Sequence, residues 1–321
     1  MKKLLFTLLA GLIGLSSFGQ TASQITSIFA DDIAQGEKLI EAYFTPIAES
    51  FGAGLNSGWY NTAKPHSLGG FDVTFTLNTV IIPNSAETFK IGDAFGNVFE
   101  SEENEAATIF GSTSSTAMYY DPSSVPGSDS IPFNMPGGFK TPAIPLPMIQ
   151  AGIGLIKNTA IDVRYMPMMN VGSNFNVNLF GIGLKHDLLQ WIPGVGDMIP
   201  MSLSFQGGYT SLNTELNIAD QKVTLNTKAT TFNLVASKRL LMVTGYAGVG
   251  YNSSTTSFSA DADFELSGIR FEEKVQMDFE SKNNLRANIG LRLNITLITI
   301  QADYTFAEYP TATVGLGVSL R

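Results

Sequence analysis

After its first twenty residues this chain nowhere offers eighteen consecutive apolar residues, yet long tracts of it are apolar at every second position. Such a chain cannot cross a bilayer as helices, which need about 20 apolar residues in a row. It can cross as strands, whose successive side chains point to opposite faces. Lipid satisfies no backbone polar group, so a membrane sheet must close on itself. Phe71, Val73, Phe75, Leu77 and Ile81 alternate with Asp72, Thr74, Thr76 and Asn78. Met201, Leu203, Phe205 and Tyr209 alternate with Ser202, Ser204, Gln206 and Thr210, and Ile161, Val163 and Tyr165 flank Asp162 and Arg164. Leu285 to Leu293 alternates about Arg286, Asn288, Gly290 and Arg292. Ile298 to Phe306 alternates about Thr299, Gln301, Asp303 and Thr305, and Val314 to Leu320 repeats the pattern.

A soluble sandwich also alternates, so composition has to decide. Charged residues make up 15%, against about 25% in an average soluble protein. There are 31 glycines, 22 phenylalanines and 10 tyrosines, and the polar face of each tract is mostly small and uncharged. Tyr and Phe fall near strand ends, where an aromatic girdle would sit. The predicted fold class is all-β, an antiparallel transmembrane β-barrel.

Twelve strands are predicted: 69–82, 147–156, 159–167, 175–187, 200–217, 221–239, 240–252, 255–267, 270–281, 284–295, 297–306 and 311–321. The number is even, as single-chain bacterial barrels require. Fourteen result if part of 86–120 is strand. Turns at Lys157-Asn158, Lys238-Arg239 and Ile295-Thr296 then fall on the periplasmic side, and 83–146 is a long external loop.

The chain begins with Lys2 and Lys3, an apolar run from Leu4 to Leu15, and Ser17 and Gly19 placed for a cut before Gln20. That is the layout of a secretory signal peptide, so residues 1–19 are expected to be removed and the chain to reach the bacterial outer membrane. Losing two lysines takes the net charge from −9 to −11. An acidic chain gives no support for nucleic-acid binding. With no cysteine, disulfides and thiol chemistry are excluded.

Residues 20–68 are not wall. Ile25, Phe29, Ile33, Ile40, Phe44, Ile47 and Phe51 keep helical spacing, which predicts an amphipathic helix over 24–51, kinked or restarted at Pro46. It can plug the lumen, lie across the barrel mouth or dock elsewhere, and the plug is the placement we expect. A Gly-rich hatch with Trp59, Tyr60, Asn61, Lys64 and His66 follows. In 83–146 the acidic run from Glu100 to Glu105 lacks the ordered spacing of a calcium loop. Residues 186–200 read as a periplasmic connector at the lipid interface, anchored by Trp191.

The histidines are two, His66 and His186, in different segments. They support neither a metal site nor a Ser–His hydrolase, and no phosphate loop or nucleophile elbow is present. We therefore expect no enzyme, metal or cofactor. Asp162, Arg164, Arg286, Arg292 and Asp303 are charged and face the lumen. They either line a polar pathway or form internal salt bridges that hold the plug. A turn at Ile295-Thr296 would set Asn288 opposite Asp303, with Arg286 diagonal to it.

The stretch Leu55-Asn56-Ser57-Gly58-Trp59-Tyr60-Asn61-Thr62-Ala63-Lys64-Pro65-His66 resembles an uncharacterised family of Bacteroidota outer-membrane proteins. So do Leu68 to Asp72, Lys185 to Pro193 and the ending from Ala302 to Arg321. That resemblance implies location and fold alone. The order of plug then barrel is similar to FadL-type transporters of hydrophobic compounds. Asn61-Thr62-Ala63 stands where those have Asn-Pro-Ala, without the proline, and Leu320-Arg321 replaces their terminal Phe. Two functions follow as expectations. One is a monomeric channel for a small, hydrophobic compound, gated by the N-terminal segment, with outer-membrane lipid as its partner. The other is a surface-interaction or envelope protein that displays loop 83–146.

Overall fold

The computed structural model describes residues 33–92, 95, 98–120, 130–171, 175–192, 200–218, 221–266, 269–281 and 284–320. The expected signal peptide and residues 24–32 of the expected helix lie outside them, as do 121–129 of the long loop and 193–199 of the connector. In chain order the elements are helix α1 (Ile33–Asn56), strand β1 (Phe71–Ile81) and five short strands. These are β2 (Thr88–Lys90), β3 (Phe99–Glu100), β4 (Glu105–Ala107), β5 (Thr116–Tyr120) and β6 (Ile131–Met135). Then come β7 (Ala143–Leu155), β8 (Thr159–Val171), β9 (Phe175–Asp187), β10 (Ser202–Ile218), β11 (Gln221–Leu240) and β12 (Val243–Leu266). The chain continues with β13 (Ile269–Glu280), β14 (Leu285–Ile295), β15 (Ile298–Phe306) and β16 (Thr311–Leu320).

Ten strands close an antiparallel ring in the order β1, β7, β8, β9, β10, β11, β12, β14, β15, β16, and β16 pairs back to β1. β13 lies outside the ring and pairs with β12. The expected twelve-strand wall is therefore corrected to ten. The two strands expected at 240–252 and 255–267 are replaced by the single strand β12, which runs unbroken over Val243–Leu266. Asn252 and Ser254 are buried while Ser253 is exposed, so the polar run that resembles a turn keeps strict alternation. The first part of β12, Val243–Tyr251, pairs with β14, and its continuation, Thr255–Leu266, pairs with β13. β13 and β14 thus follow one another along β12. Both overcounts are of one strand, so the even number survives.

The turns after β7, β9, β11 and β14 lie at the end of the ring where β1 begins and β16 stops. Gly154 and Gly70 bond there, as do Ser319 and Leu297. This is the near end. Lys157 and Asn158 both have positive φ in the three-residue turn between Leu155 and Thr159. The next two turns fall further along the chain than expected, at Leu241-Met242 and Thr296-Leu297. The second shift moves the register by two, so Asn288 opposes Thr305 and Asp303 opposes Gly290.

The outward face is apolar from the near end upward. On β1 it carries Phe71, Val73, Phe75 and Ile81; on β16, Val314, Leu316, Val318 and Leu320. β1 has 11 residues, matching the roughly 9–11 that span a bilayer. Beyond Tyr209, Phe232 and Tyr251 the outward residues turn polar, with Ser211, Asn213, Lys228, Thr230 and Ser253. β10, β11 and β12 overrun the apolar belt there.

At that far end the expected loop 83–146 is not open chain. β7 already begins at Ala143, and the segment before it builds a pair, β2–β4, and a three-stranded sheet, β3–β5–β6. Phe95, Phe99, Ile109, Phe110, Met118 and Met135 share one core with Leu39, Tyr43 and Phe51 of α1. Inward residues Val80, Ile144, Leu146, Leu179 and Phe258 complete that core. α1 runs unbroken through Pro46, and its end is five residues beyond the expected 51. Gly52 and Gly54 fit there because a Cβ would collide with Ser254 and with Leu146.

The Tyr43 hydroxyl donates to the Gly137 carbonyl at 2.9 Å, tying the far segment to α1. Tyr43→Phe should cost about 1 kcal/mol and increase cleavage within 82–142 under limited proteolysis while leaving the ring intact.

Candidate functional site

A helix ends with four backbone carbonyls lacking helical partners, and the macrodipole makes that end negative. α1 ends inside the ring, where the wall supplies donors. Arg164 of β8 donates to the Leu55 carbonyl at 2.8 Å and to the Ser57 carbonyl at 2.7 Å. Arg286 of β14 donates to the Asn56 carbonyl at 2.5 Å. Asn78 of β1 donates to the carbonyls of Gly54 at 2.8 Å and Ser57 at 3.0 Å. Gln150 of β7 accepts from Arg164 Nε at 2.9 Å and donates to the Trp59 carbonyl at 3.2 Å. The Arg164 guanidinium, 0% exposed, also lies 3.7 Å from the Trp59 ring centroid, a cation–π contact. Gly58 turns the chain after the helix at φ +71°, and a Cβ there would meet the Asn78 side chain.

The residues that follow are fitted to the wall one by one. The Trp59 ring presses on Gly183 of β9 and Gly208 of β10, where a Cβ would approach it to 2.6 and 2.5 Å. Tyr60 lies over Gly248 of β12 and donates to Asn288 Oδ1 at 2.7 Å. Asn61 donates to Gln301 of β15 and accepts from Arg292 at 2.7 Å. Ala63 N–H donates to Ser237 of β11 at 3.0 Å, and Ser204 of β10 donates to the Ala63 carbonyl. His66 Nε2 lies 2.7 Å from Asp72 Oδ1 of β1. Residues Leu55–His66 thereby touch at least nine of the ten ring strands. About 10 Å³ of cavity remains among Trp59, His66, Asp72, Asp162 and Lys185, room for one water at most.

All five charged residues expected to face the lumen do face inward and are buried. They do not pair with one another. His66 and Asp72 form a salt bridge when the imidazole is protonated. The arginines bond to residues 55–61 instead, and Asp303 accepts from Tyr246 at 2.9 Å. Asp162 lies across Gly152 from Asp72. Of the expected hatch residues, Trp59, Tyr60, Asn61 and His66 are buried in this arrangement and Lys64 is exposed. Trp191 stands apart at the near rim, 62% exposed, its N–H donating to His186 Nε2 at 2.8 Å. Asn78, Gln150, Ser204 and Ser237 were not singled out in the sequence. Neither were Gly183, Gly208 and Gly248, although glycine at an inward strand position signals something bulky against it. No three acids or histidines converge as a metal set among the described residues.

The family model for a family of unknown function (DUF6588) matches residues 1–320. The chain belongs to that family. No curated protein matches it. Among solved structures, the translocator domain of autotransporter NalP from Neisseria meningitidis aligns at 12% identity over 92% of this chain and 98% of that one, with a TM-score of 0.29. The transport unit of autotransporter AIDA-I from Escherichia coli gives 8%, 85%, 97% and 0.36. The TodX monoaromatic hydrocarbon channel gives 11%, 79%, 67% and 0.27. At TM-scores this low nothing is carried over from these proteins.

Arg164→Met keeps length and removes all donors, leaving the Leu55 and Ser57 carbonyls buried with fewer partners. Urea unfolding of the detergent-folded protein should show a loss of about 2–5 kcal/mol. Arg164→Lys should recover less than half of it, because an ammonium cannot span two carbonyls as the fork does.

Proposed function

We propose that this member of the family is an outer-membrane β-barrel. Its own N-terminal segment plugs the lumen, and the protein acts as a gated channel for small compounds. The membrane reading is supported by a closed ring with an apolar outward belt one bilayer tall. The strands overrun that belt at the far end alone, which we assign to the cell exterior, with the near end in the periplasm.

One observation supports gating over a permanent stopper: apart from a small apolar cluster of Trp59, Tyr60 and Ala63 with Val235 and Tyr246, the contact between residues 55–66 and the wall is polar on both sides. Arg164, Arg292, Asn78, Gln150, Gln301, Ser237 and Asp72 face carbonyls, amides, hydroxyls and an imidazole. If the segment withdraws, water replaces those partners, and each exchanged hydrogen bond costs about 0.5–1.5 kcal/mol between neutral groups and about 1.5–3 kcal/mol where a charged group takes part. An apolar stopper of the same size would bare greasy wall to water at about 25 cal/mol per Å². The emptied near half would be a polar pore. The apolar far half, at Val80, Leu146, Leu179 and Leu212, suits a hydrophobic moiety, as expected for the FadL-like order of parts. No catalytic step is part of this reading.

A second reading keeps the barrel closed as a support for the far-end segment, which has its own sheets and shares its core with α1. Planar-bilayer recordings separate the two. Deleting residues 24–66, which removes the segment bonded to the wall, should raise single-channel conductance from near zero to that of an open pore. Unchanged conductance from a correctly folded deletion variant would eliminate gating and leave the support reading.

A further inference from the structure

The near end is apolar past the point where a barrel normally turns polar. Ile156 and Leu297 are exposed at turn tips, and Leu241 is 91% exposed beside exposed Met242. Trp191 and Ile192 extend the same rim. Exposed cations interleave with these residues: Lys157 in the first hairpin, then Lys238 and Arg239 ahead of Leu241. Lys238 stands on the outward face opposite Gly245, so its stem can lie along the apolar wall while its ammonium reaches the edge. Arg239 Nε donates to the Leu241 carbonyl at 2.9 Å, fixing the tip. Asp187 at this level is half-buried and accepts the Leu189 N–H at 2.8 Å. The chain as a whole carries −9, with the run Glu100–Glu105 at the far end, so this basic rim opposes the overall charge.

Apolar tips alternating with cations and an aromatic anchor fit the boundary between acyl chains and anionic headgroups. The geometry points to a near rim that binds anionic phospholipid, with Ile156, Trp191, Leu241 and Leu297 in the acyl zone and Lys157, Lys238 and Arg239 on phosphates. The rim is continuous with the lipid-facing belt, and this inference rests on the membrane reading above.

The test reconstitutes the full mature chain into vesicles of phosphatidylcholine with and without phosphatidylglycerol. Retained lipids are then counted by native mass spectrometry. Retention of phosphatidylglycerol should exceed phosphatidylcholine several-fold. A Lys157→Gln, Lys238→Gln, Arg239→Gln variant should lose that preference while keeping the electrophoretic shift of a folded barrel. Trp191 emission should be quenched by lipids brominated near the headgroup, with buried Trp59 as the unquenched remainder. Equal retention of both lipids, a preference that survives in the triple variant, or an unquenched Trp191 would each overturn the inference; the last would mark a protein-docking rim. Failure to insert into either vesicle would instead overturn the membrane reading beneath it.

Discussion

The cationic seat for the end of α1 is the contact on which the interior depends. Two guanidinium groups and one carboxamide from β1, β8 and β14 converge on four successive carbonyls, Gly54 to Ser57. A buried arginine without partners would be costly, and a helix end without donors would be costly as well. Each removes the other's penalty. The pairing also fixes depth: a slip of α1 by one residue would move the carbonyls about 1.5 Å along the axis and break bonds on three strands together.

The seat marks a change of solvent logic along the lumen. Toward the far end the wall is apolar and meets the apolar side of α1 and the small sheets, an ordinary core held by burial. Toward the near end Trp59 and Tyr60 occupy hollows made by glycines, and nearly everything else is a hydrogen bond. Burial gives the far half its strength; complementarity of donors and acceptors gives the near half its register. The two kinds of contact respond differently to water: exchanging a neutral hydrogen bond for one to water costs little, whereas baring apolar surface costs in proportion to its area.

The sequence made the wall legible because period-two alternation is a local signal with one cause. The alternate residues of Phe71–Ile81 and Val314–Leu320 could be read as outward-facing without knowing any partner. Strand number was less legible. Asn252-Ser253-Ser254 has the composition of a turn, but its alternation is also that of a strand, and only pairing with β11 and β13 decides. Hairpin register was missed by two at Thr296-Leu297, enough to exchange the partners of Asp303 while leaving it inward. The charged residues could be placed inside by parity, since Arg164, Arg286 and Arg292 share the polar face. What they bind in the N-terminal segment could not: those partners are main-chain carbonyls and an amide more than a hundred positions away, and a carbonyl carries no sequence signature. Glycine at Gly183, Gly208 and Gly248 was the overlooked clue.

Closure and occupancy of this barrel are tied together by its topology. The segment that touches at least nine strands precedes β1, separated from it by only the few residues after His66, and β1 must pair with β16 from the opposite end of the chain. That pairing has the longest sequence separation in the sheet, so its loop-closure entropy is the largest and contacts of this kind form slowly. A short tether keeps residues 55–66 at high effective concentration beside the unfinished wall. Arg164 and Gln150 lie on β8 and β7, next to β1 in the ring, so part of the seat can form on three neighbouring strands. Arg286 and Arg292 arrive only with β14. Bonds from both ends of the chain therefore converge on one segment, and each that forms shortens the remaining search for β1 and β16. The polar interior that would oppose collapse of an empty barrel is thereby turned into a template for closing a filled one.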